Sequence, residues 1–324
     1  MRKSARDCAA GTWDRLWTKA CRWPLMTPMR MQFPTRREIL ASAIGAAAFA
    51  SIAMPATAQP TAPLRRAPKK AVKYGMVAEG SSVLEKFEIL RDCGFDGVEM
   101  DSPNGLALDE VLAAKEKTGL QIPGTVDSVH WDKPLSANEE SVRADGLAAL
   151  RTAISDCKRY GGTSTLLVPA VVKKDVRYGD AWSRSQSEIR KVLPLLDELE
   201  IDLLIENVWN GFLLGPTELA RFVDELQHPR VGVHFDPGNL VKFGYPEHWV
   251  PILGTRIKKV DVKDFSRGKA GFGVELNEGD TDWPAVMKEL RAIGYDGWFT
   301  AEMRSGDRAW LKDLASRMDS FLRG

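Results

Sequence analysis

"IKKVDVKDF", residues Ile257–Phe265, mixes bulky apolar residues with charges over nine positions. Successive side chains on a strand point to opposite faces. Val260 and Val262 therefore share one face, and Lys259, Asp261 and Lys263 share the other. A carboxylate on a buried strand needs a partner, because stripping its water is expensive. What Asp261 faces is the question that organises the rest of the chain.

Seven other short β-like runs share the chain with this stretch. They are "VKYGMV" from Val72, "FDGVEM" from Phe95, "IPGTVDSVHW" from Ile122, "TSTLLVPAVV" from Thr163, "IDLLIEN" from Ile201, "VGVHFD" from Val231 and "YDGWFTAEM" from Tyr295. Helical patterns fall between them and after the last. One runs from Ser82 to Cys93 and stops at Gly94, and one carries Leu108, Val111 and Leu112 and stops at Gly119. A third runs from about Asn138 to Tyr160, before Gly161-Gly162. "SQSEIRKVLPLLDELE" reads as one helix bent at Pro194. "TELARFVDELQ" takes Thr217 as its N-cap, "DWPAVMKELRAIG" takes Asp282, and a last helix runs from Asp307 to Leu322. Eight strand–helix units predict an α/β fold, a closed (β/α)8 TIM barrel in one domain, 72–324. An open doubly wound sheet would be expected to carry a Gly-rich phosphate loop, and none follows any strand.

The N-terminus reads as a targeting segment. Arg36 and Arg37 precede an apolar run from Ile39 to Met54, closed by the small residues Ala56-Thr57-Ala58. The run is short for a membrane span. Thr35 to Leu40 resembles a twin-arginine export signal, which implies a periplasmic or exported protein with no stable membrane association after cleavage. An uncleaved anchor helix is the alternative. Residues 1–58 are thus set aside as leader and signal, with translation starting at Met1, Met29 or Met31, and 59–71 as a Pro-rich, basic linker. Lys+Arg 45 against Asp+Glu 44 gives no basic excess for a nucleic-acid partner. Of four cysteines only Cys93 and Cys157 fall in the barrel, each in a helix, too few for a disulfide framework.

The alternation that turns Asp261 inward also turns Glu206, His234, Asp236 and Glu302 inward near the ends of strands five, six and eight. Function in such barrels gathers at those ends. Four carboxylates in one small volume repel, so they need a proton or a cation. A divalent ion would resolve this, and oxygen ligands suit Mn²⁺ or Mg²⁺ ahead of Co²⁺ or Zn²⁺. The competing reading is an ion-pair network with Lys259, Lys263 and Arg304.

"IEN", "HFDPGN", "VKDF", "NEGDTDWPAVMKEL" and "YDGWFTAEM" are similar to the xylose-isomerase-like barrel superfamily of sugar isomerases and epimerases. The resemblance implies metal ligands at Glu206, Asp236, Asp261 and Glu302, with Asp261 standing where the family usually has His. It implies Glu206 and Glu302 as paired acid–base residues on a small-molecule sugar or keto-sugar, working through a metal-stabilised enediolate. A lyase of the inosose or dehydroshikimate dehydratase kind, a non-catalytic sugar-binding barrel and the superfamily's DNA-cutting branch are the alternatives. The last depends on several histidines, and the barrel region holds only His130, His228, His234 and His248. Relatives often pair, so a homo-oligomer is allowed.

Further expectations attach to single residues. His130, at the end of strand three on the face of Ser128, binds a sugar hydroxyl or is a core histidine. Lys263 holds a substrate oxygen or an ion pair. Glu99 lines the mouth at the end of strand two, and His234 buttresses Asp236. Trp131, Trp209 and Phe272 form an apolar wall, or pack under loops. Glu275 and Glu278 order a lid, or sit in a solvated loop.

Overall fold

The computed structural model describes residues 68–268 and 271–323. Eight parallel strands close on themselves in chain order: β1 Lys69–Lys73, β2 Gly97–Ser102, β3 Gly124–Asp127, β4 Ser164–Leu167, β5 Asp202–Glu206, β6 Val231–Phe235, β7 Ile257–Val262 and β8 Trp298–Ala301. Pairing of Lys69–Val72 with Trp298–Ala301 closes the barrel. Around it run α1 Val83–Asp92, α2 Leu108–Thr118, α3 Glu140–Tyr160, α4 Tyr178–Arg190, α5 Leu193–Leu199, α6 Pro216–Glu225, α7 Gly238–Val241, α8 Pro246–Leu253, α9 Trp283–Ala292 and α10 Arg308–Leu322. The predicted fold class is the observed one.

Local chemistry explains the boundaries. Ser82 accepts from the Glu85 N–H while the Glu85 carboxylate returns to the Ser82 N–H, a reciprocal cap on α1. Asp282 caps α9 as read, through the Ala285 N–H, and Asp307, read as the first residue of the last helix, is the N-cap of α10 through the Trp310 N–H. Gly119, at φ 73°, ends α2 in the left-handed region that glycine enters without strain.

Four local expectations are corrected. β1 starts at Lys69, inside the segment read as linker; Lys70 extends to Asp319 of α10 at 2.7 Å, so its charge is structural. The first strand ends at Lys73, and Tyr74–Met76 form a 3-10 turn. The helix around Pro194 is two helices, because proline, lacking an N–H, fits the first turn of α5. Pro216 likewise opens α6, with Gly215 rather than Thr217 as the N-cap.

The outward strand faces, with Leu203, Ile205, Val233, Val260 and Val262, are buried in the hydrophobic core that includes Phe222, Leu253 and Leu290 of the helices. Each such side chain contributes about 1.5–3 kcal/mol by leaving water. Cys93 and Cys157 are buried and unpaired. Among the described residues no helix is long and apolar enough to cross a membrane. The leader, the twin-arginine stretch and most of the linker lie outside the described residues.

Asp127, at the end of β3, is buried and accepts from the Val129 N–H. Burial pushes its carboxyl up to about 7, against an unfolded value near ~3.9. The native state then holds a proton that the unfolded chain releases, so this contribution is complete below pH ~4 and fades as pH rises toward 7. Asp127→Asn is expected to stabilise the protein at pH 8 by on the order of 2 kcal/mol and to change little at pH 4. Thermal melts at both pH values check this; equal shifts at the two would refute it.

Candidate active site

The barrel interior is charged in two layers. In the deeper one Glu99 of β2 is gripped by Lys73 of β1 at 2.5 Å and Lys259 of β7 at 2.6 Å. Gly124 on β3 makes this possible, since a Cβ there would lie 2.5 Å from the Lys259 ammonium. Burial would raise the Glu99 carboxyl, but Lys259 and Lys73 overcome it and hold it at about 2. Asp261 lies alongside, with Lys73 Nζ at 3.2 Å and His234 Nε2 at 2.8 Å. Neither contact is aligned as a hydrogen bond, and both Asp261 oxygens and both His234 nitrogens lack a hydrogen-bond partner among the described residues. Burial again opposes ionisation of Asp261, while His234 and Lys73 hold its carboxyl below the usual range.

Above this layer the strand ends converge. Glu206 is the last residue of β5, Asp236 follows β6, Lys263 follows β7 and Glu302 follows β8. Lys263 Nζ lies 2.6 Å from Asp236 and forms a short contact with Glu302. Gly238 gives its stem passage, since a Cβ there would meet Lys263 Cγ at 2.5 Å. Asn239 donates to Asp236 Oδ2 at 2.6 Å and to the Asn207 carbonyl at 2.9 Å, and its amide nitrogen reaches Glu206 at 3.4 Å. Asn207 pairs with both backbone groups of Asp236. Burial and the nearby Glu302 carboxylate raise Glu206 well above an ordinary glutamate; burial raises Asp236 to about 6, even with Lys263 pulling the other way.

Oxygens of Glu206, Asp236, Asp261 and Glu302 all come within 4.8 Å of one another. Across both layers five carboxylates (Glu99, Glu206, Asp236, Asp261, Glu302) face three ammonium groups (Lys73, Lys259, Lys263). With all five ionised, two negative charges would remain, one divalent cation's worth. Orphaned buried oxygens on Asp261 and an acid as resistant to ionisation as Glu206 fit such an ion.

Glu206, Glu302, Lys263, Asn239, His130 and Trp131 line a pocket of about 230 Å³, with Trp209 and Phe272 at its wall. His130 sits in the turn beyond β3 rather than on the strand, and burial lowers it to about 3, so the ring is neutral. Its Nδ1 accepts from the Val168 N–H, while Ser128 turns away to the Pro103 carbonyl.

Several expectations change. Glu99 is in the middle of β2, below the pocket, not at the mouth. His234 approaches Asp261; Asp236 is supported by Asn207, Asn239 and Lys263. Arg304 leaves the site and pairs with Glu275, which also accepts from the Trp310 indole. Glu278 pairs with Arg317 of α10. The reading from residues missed Lys73, Asn207, Asn239 and Asp264. Lys73 had a signal in the alternation of β1, next to outward Val72. Asn207 and Asn239 stood in the quoted "IEN" and "HFDPGN" stretches, but residue order did not reveal the contacts between loops that they make.

A family model described as xylose isomerase-like TIM barrel matches residues 87–321. The chain belongs to that family. It is 26% identical over 242 residues to L-ribulose-5-phosphate 3-epimerase UlaE of Escherichia coli, covering 70% of this chain and 84% of that protein. Among solved structures it is similar in fold to a D-psicose 3-epimerase, with TM-score 0.67 and 18% identity over 79% of this chain and 100% of that one. A 3-keto-D-glucoside 4-epimerase, YcjR from E. coli, gives TM-score 0.67 and 17% identity over 79% and 99%.

Lys73→Met leaves buried Glu99 with Lys259 alone and buried Asp261 with His234 alone, and should cost roughly 3–5 kcal/mol. Adding Glu99→Gln should recover part of that. Urea midpoints of the two variants measure it, and a single variant as stable as wild type would show the pairing to be unimportant.

Proposed function

We propose that this enzyme, a sugar isomerase/epimerase, moves a proton at the carbon next to the carbonyl of a ketose or keto-sugar. The observation that carries the reading is the pair Glu206 and Glu302, two carboxylates lining one pocket from strands that are not neighbours in the barrel. Approaching from different sides, one can take a proton from one face of the carbon and the other can return it to the opposite face. Glu206 and Glu302 line the same pocket, so one can accept the proton while the other donates.

Glu206, Asp236, Asp261 and Glu302 would hold a divalent ion, Mn²⁺ or Mg²⁺ by the all-oxygen donor set, which when bound would polarise the substrate carbonyl and acidify the neighbouring C–H. Lys263 keeps Asp236 and Glu302 oriented. Neutral His130, with Nδ1 committed to Val168, keeps its proton on Nε2 and so can donate to a substrate oxygen. Trp131 packs edge-on against His130 at 5.7 Å and restricts its ring. The named epimerases among the relatives support the sugar chemistry, and the Thr35–Leu40 motif supports an exported, periplasmic site of action.

Solvent-deuterium exchange into a panel of ketoses and keto-glycosides, followed by NMR with Mn²⁺ present, tests the reaction. Label should enter at one carbon, and Glu302→Gln should slow entry by about 10²–10⁴-fold with unchanged circular dichroism. Exchange as fast as wild type would remove Glu302 as the base; loss of water from the product would move the reading to elimination.

Metal binding has its own readout. Mn²⁺ should raise the melting temperature in a concentration-dependent way, with about 2.7 kcal/mol gained at a hundred times the Kd, and Glu206→Gln should weaken the effect. Melting insensitive to Mn²⁺, Mg²⁺, Co²⁺ and Zn²⁺ alike would overturn the cation assignment.

A further inference from the structure

Beside the reactive pocket lies a second, larger cavity of about 360 Å³. Val208, Trp209 and Asn239 line both, so the two share a wall. Trp209 is held firmly in that wall. Its indole N–H donates to the Asn239 carbonyl at 2.7 Å, and its ring packs against Phe243, Phe265 and Phe272 at centroid distances of 5.5, 5.5 and 4.9 Å.

The two cavities differ in chemistry. The reactive one, at about 230 Å³, is smaller than the ~300–1,000 Å³ usual for ligand sites, which suits a single sugar ring. Its one lining cation among the described residues, Lys263, is already shared by Asp236 and Glu302. The second cavity has no charged residue in its described lining; it is built mainly from Leu213, Leu214, Leu240, Phe243 and Trp249. Nearby Lys242 rests over the Trp209 ring at 4.4 Å rather than in either lining. Neither lining therefore offers a phosphate an uncommitted cation. Yet Leu214 and Phe243 are 68% and 72% exposed, an apolar rim kept open to water directly beside the acids. Clustered exposed apolar surface of this kind marks a binding site more often than chance.

We infer that the substrate is a keto-glycoside: its oxidised sugar ring enters the acid-lined pocket, and an uncharged apolar or aromatic aglycone passes Trp209 into the second cavity. This rests on the sugar reading above and names the class of sugar. Aromatic side chains suit such a group, giving edge and face contacts to a ring without requiring charge. Phosphorylated sugars are disfavoured by the same linings, because a phosphate would have to displace a carboxylate from Lys263.

The test is calorimetric titration of the full chain in Mn²⁺ with the methyl and phenyl glycosides of 3-keto-β-D-glucose as probes. The phenyl glycoside should bind at least tenfold more tightly than the methyl glycoside. Gly244→Phe should cut that preference to less than threefold, since Gly244 lines the second cavity, a Cβ there meets nothing within 4 Å, and its backbone is outside the left-handed region. Phe243→Ala, at an exposed rim position, should reduce the preference as well and guards against a misfolded first variant. Equal affinities for the two probes, no binding of either, or a phenyl preference that survives both substitutions would each overturn the proposal. So would equal affinities together with a Gly244→Phe change from dimer to monomer in sedimentation, which would assign the cavity to a second copy of the chain. Proton exchange into free ketoses is a separate measurement, so the subsite can fail while the epimerase reading stands, and the reverse.

Discussion

The structure depends on holding five carboxylates, four of them buried and Glu302 partly exposed, inside one barrel with only three lysines to answer them. In a low-dielectric interior an unpaired charge costs more than most single contacts return. The deeper layer meets that constraint by direct pairing: Glu99 between Lys73 and Lys259, and Asp261 drawn to His234 and Lys73. The upper layer is left with an excess of acid. Glu206 resists ionisation for the same reason that a cation would be welcome beside it.

Glycines and amides hold this charge arrangement in place. Gly124 and Gly238 let Lys259 and Lys263 pass where a methyl group would collide. Asn207 ties the turn after β5 to the backbone of Asp236, and Asn239 ties Asp236 to that same turn. Two amides and an ammonium together hold Asp236 and its carboxylate in one orientation.

The loops around the mouth are built in the same manner. Asp264, next to Lys263, accepts from the N–H groups of Phe265, Asn277, Gly279 and Thr281, so the segment after β7 is folded back upon the strand end. Glu275 then joins that segment to Arg304 and Trp310 after β8. The acidic loop is thus tied to its neighbours, and the apolar cavity beside Trp209 opens from a firm frame. Membership of the xylose isomerase-like family accounts for the barrel. The aromatic wall of Trp209, Phe243, Phe265 and Phe272 is read from this chain's own contacts.

Much of this was legible from residue order alone, for a local reason. Strand alternation and helix caps act over a few residues, so eight strand–helix units and the inward sense of Glu206, Asp236, Asp261 and Glu302 could be read directly from the chain. Depth and partnership could not. Glu99 was assigned to the mouth because nothing local reveals how far along the barrel axis a strand residue sits; only closure of the barrel, with β1 beside β2 and β7 reaching it through the interior, brings Lys73 and Lys259 to it. Lys69 and Lys70 read as linker because their partners, Trp298 and Asp319, come from the far end of the chain. Arg304 and His234 found different partners for the same reason. Sequence by itself determined which faces carry charge, since that follows from covalent alternation. Tertiary structure alone decided which charges meet, since pairing energies depend on distances that only the closed barrel defines.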